Sequence, residues 1–183
     1  MADVTLGIEQ VTSAGVVSAK DQQLSFVAPV GVRFNAATDL NSRTQLIATY
    51  EGVFKRNAAL WHGPRLGLGL RIYGNNSYTQ STELNRVVVR YPFSVTLRSG
   101  ILLQFHDLSP LVADENKVFT RDVQLFKPGM LYGTSFAVVL GFNSTDQLSA
   151  HAMLGATYAR LPAVHSSARM LSVALALGVD YAL

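Results

Sequence analysis

Four histidines are the first candidates for chemistry, because imidazole binds metals and moves protons near neutral pH. They are His62, His106, His151 and His165, and none has a second histidine or a carboxylate at the spacing that a metal site requires. The chain has no cysteine, so thiolate ligands, disulfides and cysteine nucleophiles are excluded together. The sequence shows no phosphate-binding glycine loop, nucleophile elbow or pair of catalytic carboxylates. We therefore expect no metal, no cofactor and no enzymatic activity.

Charged side chains form a second group, spread over segments in which apolar residues alternate with other types. The group comprises Arg33, Arg43, Glu51, Lys55, Arg65, Arg71, Arg86, Arg90, Arg98 and Asp180. Basic members outnumber acidic ones. If these side chains share an enclosed space they must pair with one another or with water, because an unpaired buried charge is costly. The strands that carry these charged side chains therefore determine whether the side chains meet in an enclosed space.

The last sixteen residues, 168–183, alternate between two residue types without a break. The large apolar set is Leu171, Val173, Leu175, Leu177, Val179, Tyr181 and Leu183. The residues between them are small, except for Asp180. A period of two is the period of a strand. Small residues on one face and aliphatic bulk on the other favour a narrow barrel with a crowded interior and an outer wall that meets hydrocarbon.

The same period recurs along most of the chain. It predicts strands over 4–9, 24–34, 44–55, 65–74, 86–106, 118–126, 132–142, 148–158 and 171–183. Residues 12–22, 35–42, 75–85 and 107–117 are predicted to be loops or turns, as is the segment that contains Trp61, His62, Gly63 and Pro64. Pro29 lies inside the second predicted strand, where a proline indicates an edge or a bulge.

The long segment 86–106 has two interpretations. Either it is one strand that projects beyond the membrane, or Arg98, Ser99 and Gly100 form a hairpin turn. Because a crossing needs only about 9 to 11 residues, the hairpin is favoured. The tally is ten strands with the hairpin, and a barrel of eight strands is the alternative. Both numbers predict an all-β fold, a closed up-and-down antiparallel β-barrel of 8–10 strands with both termini on one side.

Composition limits the classes that remain. At 183 residues and 49% apolar content, we expect one domain over 1–183 and no extensive disorder. No run of about 18 apolar residues is present, so a membrane helix is not predicted. The net charge of +3 comes without a polybasic run, so nucleic-acid binding is not expected. No basic and then apolar leader follows Met1, which predicts either a cytosolic protein or a mature chain restarted with Met.

In this pattern the chain resembles the small outer-membrane β-barrel proteins of Gram-negative bacteria, chiefly in the glycine-interleaved segment 66–72 and in the closing strand. It departs from them at the C-terminus, where Tyr181, Ala182 and Leu183 lack the usual terminal aromatic residue. The resemblance implies a mature chain in the bacterial outer membrane. Its implied partners are membrane lipid and other proteins of the cell envelope.

Aromatic residues provide an independent check on a membrane barrel. Tyr132 and Phe142 lie ten residues apart on one face of a predicted strand. With the usual rise per residue and the tilt of a barrel strand, this separation is roughly 25 Å along the membrane normal, which equals the height of the apolar band. The topology places Phe34, Phe142 and Tyr181 at the periplasmic end, and Phe54, Tyr132 and Tyr158 at the outer end. These six residues are predicted to form an aromatic girdle. The alternative is that they fill an ordinary sandwich core.

Several functions are compatible with this pattern. A non-enzymatic barrel would serve as a scaffold, an adhesin, a partner in an envelope complex or a narrow pore, and its charged interior would be either a packed polar plug or an anion-favouring channel. A soluble all-β structural protein, such as a capsid or tail subunit, is the alternative. A minor alternative is a hydrolase, since His165, Ser166 and Ser167 resemble the His-x-Ser motif of barrel lipid A deacylases. The Asn that follows in those enzymes is missing, and no acidic partner is evident.

Overall fold

The computed structural model describes residues 4–19, 22–55, 58–74, 77–79, 87–89, 92–109, 111, 128–143, 148–162, 164 and 168–183. Nearly all of them lie in strands. In chain order these are β1 (Val4–Ala19), β2 (Gln22–Asp39), β3 (Thr44–Lys55), β4 (Ala58–Tyr73), β5 (Ser77–Thr79), β6 (Val87–Val89), β7 (Phe93–His106), β8 (Gly129–Asn143), β9 (Leu148–Arg160) and β10 (Arg169–Ala182). Among these residues, no helix has the length and apolar character needed to span a membrane.

Eight of the strands close into a barrel. Their order around the wall is β1, β2, β3, β4, β7, β8, β9 and β10, and every neighbouring pair is antiparallel. The last strand returns to the first, with Leu6 opposite Tyr181 and Val17 opposite Met170. The prediction of a closed up-and-down antiparallel barrel is confirmed, with eight strands. We call the end where β1 begins and β10 ends the terminal end, and the opposite end the far end.

The hairpin predicted at Arg98, Ser99 and Gly100 is wrong, because β7 runs through these residues as one strand. Gly100 lies opposite Gly67 of β4 on one side and Ser135 of β8 on the other, so it is paired within the sheet in both directions. Upstream of β7, β6 pairs with β5 in a separate two-stranded sheet. The predicted strand at 118–126 lies outside the described residues.

Four segments that were predicted as loops or turns contain strand instead, one of them being 75–85, which includes β5. β1 continues through residues 12–19, β2 continues to Asp39, and β4 begins at Ala58 and therefore includes the segment from Trp61 to Pro64. These segments are rich in small and polar residues, which have weak strand propensity. Pairing on both sides overrides that propensity: Ser13, for example, lies opposite Ala28 of β2 and Ala174 of β10.

A β-bulge in β2 decides which of its side chains face the interior. Thr12 of β1 lies opposite two residues, Pro29 and Val30, where the register shifts by one. The extra residue reverses the alternation, so that Phe26 is buried and Phe34 is exposed. Of the two alternatives predicted at Pro29, an edge or a bulge, the register shift supports the bulge, and the common face predicted for 24–34 is wrong.

Elsewhere the predicted alternation of faces is confirmed. On β4, Leu66, Leu68, Leu70 and Ile72 are exposed on the outer wall, and Arg71 is buried inside. On β10 the seven large apolar residues are between 46% and 71% exposed, whereas Ser172, Ala174, Ala176 and Ala182 are buried. The outer wall is thus apolar, and small residues leave room inside for the long side chains described next.

Candidate functional site in the barrel interior

Apolar side chains fill the far half of the barrel interior. Phe26 and Trp61 pack edge to face in this group, with their ring centroids 5.4 Å apart. Leu108 and Leu111 come from the connection after β7, and Leu161 and Val164 from the connection after β9. We call the group the apolar plug; it consists of Val17, Leu24, Phe26, Leu60, Trp61, Leu102, Leu108, Leu111, Leu131, Leu161, Val164 and Met170, with small alanines and Val53 between them. Close packing of this kind excludes water.

Two buried polar side chains lie on β7 at the far end. Gln104 and His106 are both fully buried, on the inward-facing side of the strand that also carries Leu102. Among the residues that the structure describes, neither the amide of Gln104 nor either ring nitrogen of His106 has a hydrogen-bond partner. Each unsatisfied group costs stability, so these two positions are local weak points of the plug.

The other half of the interior is charged, and Arg33 is at its centre. Glu9 of β1, Arg33 of β2 and Glu51 of β3 lie opposite one another on three adjacent strands, and all three are almost fully buried. Arg33 Nε donates to Glu51 Oε2, and Arg33 NH1 lies 3.3 Å from Glu9 Oε2. One guanidinium thus joins two carboxylates, which is how a buried charge is made tolerable.

Glu51 receives two further donors at its other oxygen. Trp61 Nε1 lies 3.0 Å from Glu51 Oε1, and Arg65 NH2 lies 2.5 Å from the same atom. Trp61 therefore belongs to both halves of the interior, with its ring against Phe26 and its N–H on a carboxylate. This contact marks the boundary between the apolar plug and the charged half.

Glu9 receives four donors, which come from three strands, β2, β7 and β9. Beside Arg33, its Oε1 accepts from Asn35 Nδ2 at 2.6 Å, lies 2.9 Å from His151 Nε2 and 3.3 Å from Arg98 NH1. The second ring nitrogen of His151 lies 2.9 Å from Asp180 Oδ2. We call the connected set the charge network; its members are Glu9, Arg33, Glu51, Arg65, Arg98, His151 and Asp180.

A separate ion pair lies nearer the terminal end. Arg71 NH2 is 3.5 Å from Asp39 Oδ1, and Arg71 NH1 donates to the Ser42 carbonyl at 3.1 Å. Gln45 donates to the same Asp39 oxygen at 2.9 Å. These contacts tie β4 to the turn between β2 and β3.

The residues predicted to form an interior charge cluster fall into three groups. Glu51, Arg65, Arg71 and Arg98 point into the barrel, as does Arg33, and Lys55 is half-buried at the far end of β3. The placement of Arg43 in the interior is wrong, because it lies exposed in the turn after β2, where Asn41 Oδ1 accepts its backbone N–H. Arg86 and Arg90 lie outside the described residues. The predicted excess of basic residues is largely offset by Glu9 and Asp39, which the predicted set lacked.

Glu9, Asp39 and His151 are interior residues that the sequence analysis missed. Glu9 could have been assigned to the interior from its place in the strand alternation. It falls on the face opposite to that of Leu6 and Ile8, which are exposed. His151 was judged isolated because its carboxylate partners are remote in sequence. Only the register of β1, β9 and β10 brings Glu9, His151 and Asp180 together.

Two cavities lie in the charged half. A central cavity of about 60 Å³ is lined by Glu9, Arg33, Arg65 and Arg98, with hydroxyl groups of Thr49, Ser135 and Thr157 around them. A second cavity of about 90 Å³ lies toward the terminal end, beside Asp39, Arg71, His151 and Asp180. Arg98 lines both, so its side chain stands between them. Each is large enough for several water molecules.

The interior offers little for catalysis. In the part of the chain that the structure describes, no three His, Asp or Glu side chains converge as metal ligands. His151 instead separates its two carboxylates, with one at each nitrogen. The segment His165, Ser166 and Ser167 lies outside the described residues.

The six predicted girdle residues are all exposed on the outer wall. Phe34, Phe142 and Tyr181 lie in the terminal halves of their strands, and Phe54, Tyr132 and Tyr158 in the far halves. Other rings extend the two rows. Tyr73, Phe93 and Phe142 stack in sequence at the terminal end, with centroids 5.9 Å and 5.4 Å apart.

A pair of arginines lies just beyond the far row of rings. Arg160 and Arg169 lie directly opposite each other on β9 and β10, and both are exposed on the outer wall. Tyr132 is the other cross-strand neighbour of Arg160. Apolar wall, aromatic rows and flanking arginines follow one another in the order typical of a membrane interface.

Comparison with known proteins bears on the fold. No protein-family model matches the sequence. No curated protein sequence matches it significantly.

Solved structures of outer-membrane barrels, by contrast, match along the whole chain. The N-terminal β-barrel domain of OprF from Pseudomonas aeruginosa matches with a TM-score of 0.55 at 12% identity and covers 100% of both chains. Neisserial surface protein A has a TM-score of 0.55 at 11% identity, over 97% of this chain and 96% of its own. The attachment invasion locus protein Ail of Yersinia pestis, solved with a heparin analogue, has a TM-score of 0.50 at 11% identity, over 100% and 99%. The chain therefore has the closed eight-stranded fold of small outer-membrane β-barrel proteins.

Proposed function

We propose that this protein is a non-enzymatic barrel of the bacterial outer membrane that acts as a closed scaffold in the cell envelope. The apolar plug is the observation that carries the proposal. A pore requires a hydrated path from end to end, and a constriction lined only by apolar groups resists wetting. Here the far half of the interior is packed with leucine, valine and aromatic side chains.

The outer wall supports the membrane part of the proposal. Exposed large apolar residues occur on every strand of the barrel, in addition to the unbroken face of β10. A monomeric protein in water rarely exposes a contiguous apolar patch above a few hundred Å². Hydrocarbon is the natural complement of such a wall, and the two aromatic rows fit its boundaries. The same observation argues against a soluble capsid or tail subunit, unless other subunits cover the wall.

The charged half argues against an anion channel. An anion-selective lumen needs fixed positive charge that is free to act on the passing ion. In this barrel Arg33, Arg65 and Arg98 are engaged by Glu9 or Glu51, so much of their charge is neutralised locally. The charge network thus links side chains from seven strands across the interior instead of leaving free positive charge along it.

Two measurements test the proposal. Without detergent the purified protein should aggregate, and a monodisperse monomer under those conditions would contradict a membrane barrel. In planar bilayers the wild type should show no steady conductance. The double variant Leu24→Ala and Trp61→Ala, which removes bulk from the plug, should conduct more often than the outward-facing control Leu175→Ala and Leu177→Ala. A wild type that conducts steadily would exclude the closed scaffold.

A further inference from the structure

Hydrogen-bond donors outnumber acceptors around the central cavity. Three of the four charged side chains that line it are arginines, and Glu9 is the fourth. Each guanidinium carries five N–H donors and no acceptor. The hydroxyl groups of Ser135 and Thr157 also line the cavity and can donate or accept, whereas the Thr49 hydroxyl already donates to Asn35 Oδ1 at 2.8 Å.

The two carboxylates of the charge network are already heavily used. Glu9 accepts three contacts at Oε1 and one at Oε2. Glu51 accepts from Trp61 and Arg65 at one oxygen and from Arg33 at the other. With about four acceptor positions per ionised carboxylate, little capacity remains for further donors.

Two buried arginine donors lack an acceptor within the described part of the chain. Arg65 Nε and Arg98 Nε are buried, and neither has a hydrogen-bond partner there. Their side chains come from adjacent strands, β4 and β7, and both line the central cavity. Buried N–H groups of a charged side chain are expected to be satisfied by some ligand or solvent species.

We propose that the central cavity binds one halide-sized anion, held by Arg65 and Arg98. A bare anion supplies acceptor capacity without bringing donors, whereas each water brings two donors into a space that already has too many. A cation would need lone pairs as ligands, and the guanidinium groups that line the cavity have none to offer. A cavity of about 60 Å³ accommodates a monatomic anion but not a bulky organic one. The anion would enter from the terminal end, because Arg98 also lines the second cavity, which lies on that side.

Diffraction with bromide tests the site directly in the wild type. Crystals grown or soaked in sodium bromide should show an anomalous peak in the cavity, within hydrogen-bonding distance of Arg65 Nε and Arg98 Nε. Well-ordered water in the cavity with no anomalous peak would overturn the proposal. This measurement needs no variant, so it remains decisive even if substitutions in the network prevent folding.

Thermal unfolding in detergent provides a second readout. At constant ionic strength, replacing potassium gluconate with potassium bromide should raise the unfolding midpoint of the wild type by a few degrees and reach a plateau, because the ligand binds the folded state. The rise should be lost in Arg98→Gln and kept in the matched control Arg71→Gln, whose ion pair lies outside this cavity. A rise that persists in Arg98→Gln would show that bromide acts elsewhere. The outcome is independent of the closed scaffold proposed above, since neither conductance nor detergent dependence enters it.

Discussion

Glu9 on β1 and His151 on β9 lie 2.9 Å apart inside the barrel, although 142 residues separate them in the chain. Their strands are not neighbours, because β10 lies between them in the wall. The imidazole spans that gap and contacts Asp180 of β10 with its other nitrogen. The closing seam of the barrel is therefore braced from the inside by three side chains as well as by the backbone ladder.

Replacing Glu9 should destabilise the barrel strongly. Glu9→Gln leaves Arg33 and Arg98 without one of their counter-charges in a buried site, and removal of one partner from a buried ion pair costs about 3 kcal/mol or more. Urea unfolding in detergent micelles measures the loss. The double variant Glu9→Gln and Arg98→Gln should lose less than the sum of the two single variants. Strict additivity would show that the two residues are not coupled.

Two glycines on the same strand should respond very differently to alanine. A Cβ atom at Gly67 would lie 2.6 Å from the carbonyl oxygen of Ser99, which is backbone, whereas at Gly69 the nearest atoms, at 3.1 Å or more, are ends of side chains. Gly67→Ala should cost about 1 to 3 kcal/mol, because the backbone of β7 must move. Gly69→Ala should cost clearly less. Equal losses in the same unfolding assay would contradict the register of β4 and β7.

Gln104 offers a stabilising substitution. Its amide is fully buried without a partner, so Gln104→Met, which keeps the shape and removes the polar atoms, should raise the free energy of unfolding by about 1 to 3 kcal/mol. The exposed Gln23→Met serves as the control and should have little effect. A loss of stability in Gln104→Met would reveal a bound water or another partner at the amide.

Neighbouring positions on β10 should sense opposite environments. Leu175 is 56% exposed and Ala176 is 1% exposed. Because the chain has no cysteine, Leu175→Cys and Ala176→Cys each give a single site for a spin label. In lipid bilayers the label at 175 should be accessible to oxygen, which partitions into hydrocarbon, and the label at 176 should be shielded. If the order is reversed, the assignment of the outer wall is wrong.

The two opposed arginines at the far end should repel each other. Like charges directly opposite across a ladder destabilise a sheet, so Arg169→Glu should raise stability by about 0.2 to 1 kcal/mol in zwitterionic detergent, where it faces Arg160. Addition of an anionic lipid should favour the wild type instead, because the arginine pair can then bind phosphate. Without the lipid, Arg169→Glu should therefore be more stable than the wild type, and with the lipid it should be less stable.

Fold and faces were predictable wherever a strand pairs without irregularity. On β4 and β10 the period of two identifies the outward residues correctly, because a pleated strand alternates its faces by geometry alone. A single bulge is enough to break this rule. On β2 the inward positions are even-numbered before Pro29 and odd-numbered after it, and the local sequence does not show that Phe26 lies before the change. The false hairpin at Gly100 has a related cause, since a glycine that packs against Gly67 resembles a turn glycine in the sequence.

The interior site was predictable in kind but not in its connections. Arg65 and Arg71 were identified because they share a face with glycines. Glu51 and Arg98 were identified because they lie on the polar faces of their own strands. The plug was not identified, since Phe26 and Trp61 carry no sign that distinguishes a buried aromatic from one on the outer wall. Which carboxylate meets which arginine depends on the shear between strands, and that quantity is a property of the closed barrel rather than of any segment.

The seam between β1 and β10 has a consequence for how the protein is made. Thr5 pairs with Ala182, so the first strand finds its second neighbour only when the last residues of the chain are present. Until then β1 has an unpaired edge, and the outer wall has no hydrocarbon to cover it. Synthesis from the N-terminus cannot complete the structure stepwise. Pairs so distant in sequence also fold slowly. Until the last strand pairs with β1 and the outer wall is covered, the unpaired edge and the apolar surface therefore leave the chain open to self-association.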